Sequence, residues 1–328
     1  MEPYYYQTLS KAEQSSYQAM QAGLQAFAPS FPVPLLENRA LTDVFMKLRL
    51  DCPQLFYAGT FQYRYYPDSR NAELIPAYLF EKGKLKEHQK ALQARVEKLV
   101  RPVAKCGDEE KLLYIHDFIC KNVRYDKLKK QYSHEIIGVL GHGVGVCEGI
   151  AKAVKILCDA LQIQCIIALA ENNPEKGVKY RHAWNVVRLD KKYYHLDCTF
   201  DLSLGNPEEI RYDYFNLDDS QIFRDHEPLI APAPHCGDHE HFYYKEKKLS
   251  FTKKEDVYKR SLQAAKKGRV LIFHWRGGYL TKEVLKELLE LIRKAGDEKD
   301  KTAMVSINWP QAVIRVQYTD MQVQESVT

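Results

Sequence analysis

The chain has 328 residues, 45% of them hydrophobic and 28% charged, the composition of a folded globular protein with room for two or three domains. Its net charge of +5 is mild for this length, and lysines interleave with glutamates on helical faces, as at Lys282, Glu283, Lys286 and Glu287, so no nucleic-acid partner is expected. No stretch approaches the ~18 apolar residues of a membrane span, no export signal is legible in Met1-Glu2-Pro3-Tyr4-Tyr5-Tyr6, and eight cysteines without paired spacing fit a reducing compartment; the expectation is a cytoplasmic protein without a membrane partner.

In chain order, Tyr17, Met20, Leu24 and Phe27 keep helical spacing and predict a helix from about Ser10 to Phe27, stopped by Pro29, Pro32 and Pro34. A second helix is expected over roughly Asn38–Leu50. The run from Phe61 to Tyr66, the turn Pro67–Asn71 and the run Leu74–Phe80 read as a hairpin. A long helix follows with Leu92, Val96, Leu99 and Val103 on one face and Gly107 past its end. Asp108 is the expected cap of the next helix, which carries Leu112, Ile115, Ile119 and Val123.

The most informative residue is Cys147, in Gly143-Val144-Gly145-Val146-Cys147-Glu148-Gly149. Apolar residues then recur at Ile150, Ala151, Val154, Leu157, Cys158 and Leu161, so a helix starts at the cysteine. A thiol in the first turn of a helix feels the positive end of the macrodipole, which favours the thiolate. Gly145 and Gly149 are read as leaving room for a substrate backbone. The other cysteines, such as Cys52, Cys120, Cys158, Cys165 and Cys198, read as small core hydrophobes.

Downstream, one strand is expected from Tyr180 to Leu189 and another from Tyr193 to Phe200, joined by a short polar turn. A two-residue loop of Asp190 and Lys191 pairs Leu189 with Lys192, and continuing outward pairs Trp184 with Asp197 and His182 with Thr199. Paired residues share a face, as do residues two apart on one strand. His182 and Asp197 are then diagonal neighbours, roughly 7–8 Å apart at the backbone and within side-chain reach. Asp197 can orient His182, and His182 can take the proton of Cys147: nucleophile, base and carboxylate in one set. His195, beside Asp197 on the same face, is a rival base of poorer reach.

A histidine- and cysteine-rich run, His235-Cys236-Gly237-Asp238-His239-Glu240-His241, lacks a second paired ligand element, and Pro228, Pro232 and Pro234 mark it as a loop. No metal and no cofactor are expected. Beyond it, a helix near Lys253–Lys267 ends at Gly268, and a strand runs from Arg269 to Trp275. Thr281 caps a helix reaching Lys294 that Gly296 ends, and strands Met304–Trp309 and Ala312–Tyr318 flank Pro310. This is a small α/β arrangement.

Glycine-x-cysteine-x-glycine-x-alanine opening a helix, His182-Ala183-Trp184-Asn185 on a strand, and Asp197-Cys198-Thr199-Phe200-Asp201 after it resemble the transglutaminase-like superfamily, over about Lys111 to Asp225. The resemblance implies an α+β, papain-like core with Cys147 as nucleophile, His182 as base and Asp197 as orienting acid. Gly145, Gly149, Trp184, Asn185, Thr199 and Asp201 would be supporting or substrate-binding positions. Phe200 stands where many relatives carry tryptophan. The expected layout is a helical N-terminal region with a hairpin (1–106), the core (107–240) and an accessory α/β domain (241–328). The expected chemistry is acyl transfer on an amide or peptide bond of a protein or peptide, with hydrolysis preferred. Transglutaminase-type cross-linking and a non-catalytic binding or assembly module are the alternatives, and the accessory regions are candidates for holding a protein partner.

Overall fold

The computed structural model describes residues 2–320. The architecture is α+β, and the chain forms two compact units. The first runs up to Arg211 and takes back Glu227–Cys236; the second holds Tyr212–His226 and the chain from Gly237 onward.

The first unit opens with α1 (Tyr4–Gln7) and α2 (Lys11–Gln25). Ser10 caps α2 in a reciprocal box with Glu13, satisfying two amides that the first helical turn leaves open. Strand β1 (Phe31–Pro34) follows, then α3 (Asn38–Asp51), β2 (Ala58–Tyr65) and β3 (Asn71–Tyr78). The sheet order is β1-β3-β2, which makes β1 an edge, the place where Pro32 and Pro34 cost no ladder bond. Helices α4 (Lys82–Val100) and α5 (Asp108–Asn122) lead into the core. The expected cap of α5 is corrected: Gly107 holds the cap position, and Asp108 is the first helical residue, ion-paired to Lys111 at 2.9 Å.

Short strands β4 (Arg124–Tyr125) and β5 (Val144–Gly145) pair in parallel, and a π-helical turn covers Ile137–Gly141. Then come α6 (Cys147–Ala160), β6 (Cys165–Ala170), β7 (His182–Leu189), β8 (Lys192–Leu196) and α7 (Cys198–Leu204). Strands β6, β7 and β8 are antiparallel with β7 central. Helix α6 is buried nearly all round, including Lys152 and Lys155. Asn185 Nδ2 donates to Ala151 O at 2.9 Å, tying β7 to α6.

The second unit holds β9 (Phe215–Leu217), α8 (Asp219–Ile222), α9 (Tyr243–Glu246), β10 (Ser250–Phe251) and α10 (Lys254–Lys267). It continues through β11 (Leu271–Trp275), α11 (Lys282–Asp297), β12 (Lys301–Asn308) and β13 (Val313–Asp320). Its sheet runs β10-β11-β13-β12, with β10 parallel to β11 and the other pairs antiparallel. Val257, Ala265, Leu288 and Ile292 from the helices meet Phe273 and Ile314 from the sheet in one core. Gly268 ends α10 in the left-handed conformation, at φ +59. Gly296, expected to end α11, instead lies inside it. A Cβ there would sit 2.6 Å from Lys301 O, so the glycine permits the return of β12.

Candidate active site

The turn between β7 and β8 fixes the site. Asp190 and Lys191 both have positive φ (46 and 67), the two-residue turn whose twist matches a hairpin. Leu189 therefore pairs with Lys192 and Asn185 with Leu196, the register that puts His182 and Asp197 on one face. The second strand is shorter than its sequence suggests. It ends at Leu196, and Asp197 turns the chain into α7, because its Oδ1 accepts from the backbone N–H groups of Thr199 at 2.8 Å and Phe200 at 3.0 Å. Its other oxygen, Oδ2, lies 2.6 Å from His182 Nε2. One carboxylate thus caps a helix and holds an imidazole.

Cys147 is the first residue of α6 and is partly exposed, its Sγ 3.9 Å from Arg181 O. Burial alone would depress the His182 pKa. Asp197, and after it the Cys147 thiol, outweigh burial and raise it to about 10. The imidazole is packed between Trp184, stacked at 5.7 Å between ring centroids, and Phe200, edge-on at 5.0 Å. Trp184 Nε1 donates to His195 Nδ1 at 2.9 Å, so His195, 1% exposed, serves the tryptophan rather than the thiol. Asp201 meets His116 Nε2 at 3.0 Å, both fully buried, and ties α7 to α5.

The space beside the two glycines is not open, contrary to the expectation from sequence. A Cβ on Gly149 would sit 2.2 Å from Ser133 O, and one on Gly145 would sit 2.6 Å from Val139 Cγ2. Both glycines let the chain pack against itself. The segment before α6 is pressed onto the helix start, where Val146 N–H also donates to Ser133 O at 3.0 Å.

A charged cluster beside Cys147 escaped the sequence reading. Lys152, with no exposed surface, donates to both oxygens of Glu135 at 2.9 Å, to His134 O at 3.1 Å, and meets Glu148 at 2.7 Å. Arg49 from α3 also bonds Glu135 and lies 3.7 Å from Glu148. His134 Nδ1 is 3.3 Å from Glu148. Burial pushes both carboxyls up. At Glu135 it wins despite Lys152 and Arg49, whereas Lys152, His134 and Arg49 hold Glu148 well below the usual range. Only the spacing of Glu148 and Lys152, four apart on a helix, hinted at this. A cavity of about 730 Å³ opens over Cys147, walled by Phe45 and Arg49 of α3, Phe61 of β2, and Tyr125, His134 and Tyr180.

Residues 95–198 match the family model described as the transglutaminase-like superfamily. That match spans about a third of the chain. Among solved structures, it is similar to one described as a TGase, at 12% identity and TM-score 0.29, covering 43% of this chain and 44% of the other. A candidate cysteine protease from Cytophaga hutchinsonii matches at 15% identity and TM-score 0.28, covering 43% and 61%. A candidate protease from Parabacteroides distasonis matches at 16% and 0.26, covering 42% and 36%. The chain spans less than two thirds of each of these three. A search of curated proteins finds no match.

Proposed function

We propose that this chain catalyses cysteine-dependent acyl transfer on an amide or peptide carbonyl, with Cys147 as nucleophile, His182 as proton carrier and Asp197 as the orienting carboxylate. The observation that carries the reading is the 2.6 Å contact of His182 Nε2 with Asp197, on an imidazole whose charged form the Cys147 thiol also favours. With Nε2 engaged by the carboxylate, Nδ1 is the nitrogen left for the thiol. In the reactive form His182 already holds the proton of Cys147 as an imidazolium, and the thiolate attacks the carbonyl carbon, forming a C–S bond and an oxyanion. The backbone N–H of Cys147, among the amides that a helix start leaves unpaired, is a donor for that oxygen. His182 then protonates the departing nitrogen as the C–N bond breaks, leaving a thioester. Water, deprotonated by His182, attacks the thioester, and the thiolate departs with the acid released. Asp197 stabilises the imidazolium in both halves without taking the proton. Trp184 and Phe200 restrict water around the ring, which strengthens the pair electrostatically.

We take water rather than an amine as the acceptor, since it reaches a partly exposed thiol without a second binding site. A protein or peptide is the expected substrate. The test is turnover of amide and peptide libraries, with and without amine acceptors, by the wild type and Cys147→Ala. Hydrolysis lost in the variant supports the reading. Amine-dependent product would replace hydrolysis by cross-linking, and turnover that survives in Cys147→Ala would overturn the nucleophile.

A further inference from the structure

The second unit has a cavity of its own, about 630 Å³, which the chemistry above does not use. That volume lies within the range of small-molecule sites. Its lining includes three permanent cations, Arg224, Lys245 and Arg276, against one carboxylate, Asp218. The carboxylate is already committed: its Oδ1 caps α8, accepting from Gln221 N at 2.8 Å and Ser220 Oγ at 2.7 Å. Among the described residues, none of the three cations has an ion-pair partner. The one side-chain hydrogen bond they make is Arg224 Nη1 to Pro310 O, at 3.2 Å.

Like charges gathered in one concavity repel each other unless something anionic sits among them. They also bear on His274, buried in the same wall with Nδ1 2.8 Å from Ser250 Oγ. Burial first, and then Arg224 and Arg276, push its pKa down to about 4, so it stays neutral and adds no charge. The lining also holds aromatic surface. Tyr279 is 94% exposed and Trp309 45% exposed. Trp275 lines the cavity too, and its buried indole N–H finds no acceptor among the described residues. Guanidinium groups match the planar, two-oxygen geometry of carboxylate and phosphate, and exposed rings offer stacking faces.

We propose that this cavity is a binding site for an oxyanion, carboxylate or phosphate, carried on an aromatic or similarly flat apolar group. Arg224, Arg276 and Lys245 hold the anion, and Tyr279 and Trp309 cover the flat carrier. The site is independent of the Cys147 chemistry.

Two of the three tryptophans line the cavity, so its occupation is readable as a change in intrinsic fluorescence. The full chain is titrated at low ionic strength with phenyl phosphate, benzoate, inorganic phosphate and phenol, with calorimetry alongside. Phenyl phosphate or benzoate is expected to bind more tightly than either inorganic phosphate or phenol, and the better of the two identifies the preferred oxyanion. Arg276→Ala and Lys245→Ala, both at exposed positions, should each weaken binding by about tenfold. Tyr279→Ala should remove the advantage of phenyl phosphate over inorganic phosphate and leave inorganic phosphate unchanged. The alkylation rate of Cys147 should be the same in all three variants. No binding of either aromatic anion at about 10 mM, or equal affinity in wild type and the two cation variants, overturns the proposal.

Discussion

Lys152 is where the structure makes its sharpest claim about stability. Replacing it with methionine keeps most of the side-chain volume and removes the ammonium that joins Glu135, Glu148 and the His134 carbonyl. Arg49 would then face two carboxylates, one of them 3% exposed. Breaking a buried pair by removing one partner costs about 3–5 kcal/mol, because the remaining charge is left without compensation. At roughly 2–4 °C per kcal/mol, the melting temperature should fall by about 6–20 °C. The pH dependence has a definite sign. Glu148 is held well below its ordinary 4.5, so its contribution is full above that pH and fades as the pH falls toward its folded value. The variant lacks the share of that contribution that Lys152 supplies, at every pH. The gap between wild type and Lys152→Met should therefore be widest at pH 6–8 and shrink below about pH 4.5. Urea titrations followed by far-ultraviolet circular dichroism at both pH values would measure it. A loss under about 1 kcal/mol at neutral pH, or a gap that stays constant into acid, would refute the assignment of this cluster as a stabilising buried network.

Further outcomes are expected at three residues. Cys147 should react with iodoacetamide well before the other seven cysteines near neutral pH, as read by peptide mass spectrometry; uniform labelling would count against the nucleophile. Asp197→Asn should keep the α7 cap, since asparagine caps as well as aspartate, yet lose up to about 10⁴-fold in turnover, or roughly 5 kcal/mol. Asp197→Ala should lose the cap as well, costing about 1 kcal/mol more in a denaturant melt. Because His182 stays protonated up to about pH 10, the imidazolium–carboxylate pair stabilises the fold below about 6.5 and is lost toward 10. Asp197→Asn should accordingly shift the alkaline limb of the turnover profile to lower pH, and an unmoved limb would separate Asp197 from the titration of His182. Gly149→Ala should destabilise by about 1–3 kcal/mol, because its methyl would meet the backbone oxygen of Ser133; an unchanged melting temperature would mean that the loop yields freely.

What could be read from the sequence followed from local rules. The hairpin register was legible because Asp190 and Lys191 form a two-residue turn and the residue period of a strand is two. Thr281 and Gly268 marked helix ends by their own chemistry. Where local chemistry served two masters, the reading failed. The residues around Asp197 favour a strand, whereas its side chain starts a helix. Gly296 looked like a stop and is a close-packing position. Strand β1 was hidden by its two prolines, which only an edge tolerates. The buried charges were invisible for a different reason. Positions 49 and 135 lie outside α6, which carries 148 and 152, and no sequence period links an arginine on α3 to a lysine on α6.

The link through Arg49 bears on whether the segment matched by the family model is a portable module. The matched stretch begins at residue 95, after the arginine that neutralises Glu135 and after the α3 and β2 residues that wall the cavity. It also leaves behind Tyr5, whose hydroxyl donates to Ile167 O on β6 at 2.7 Å. Cut at residue 95, the segment would lose a counter-charge, a wall of its cleft and a tie to its central sheet at one stroke. Grafted onto another protein, it would need substitutes for all three. The N-terminal hundred residues are therefore part of what the cleft is made from, and a lineage that exchanged them would be changing the cleft itself.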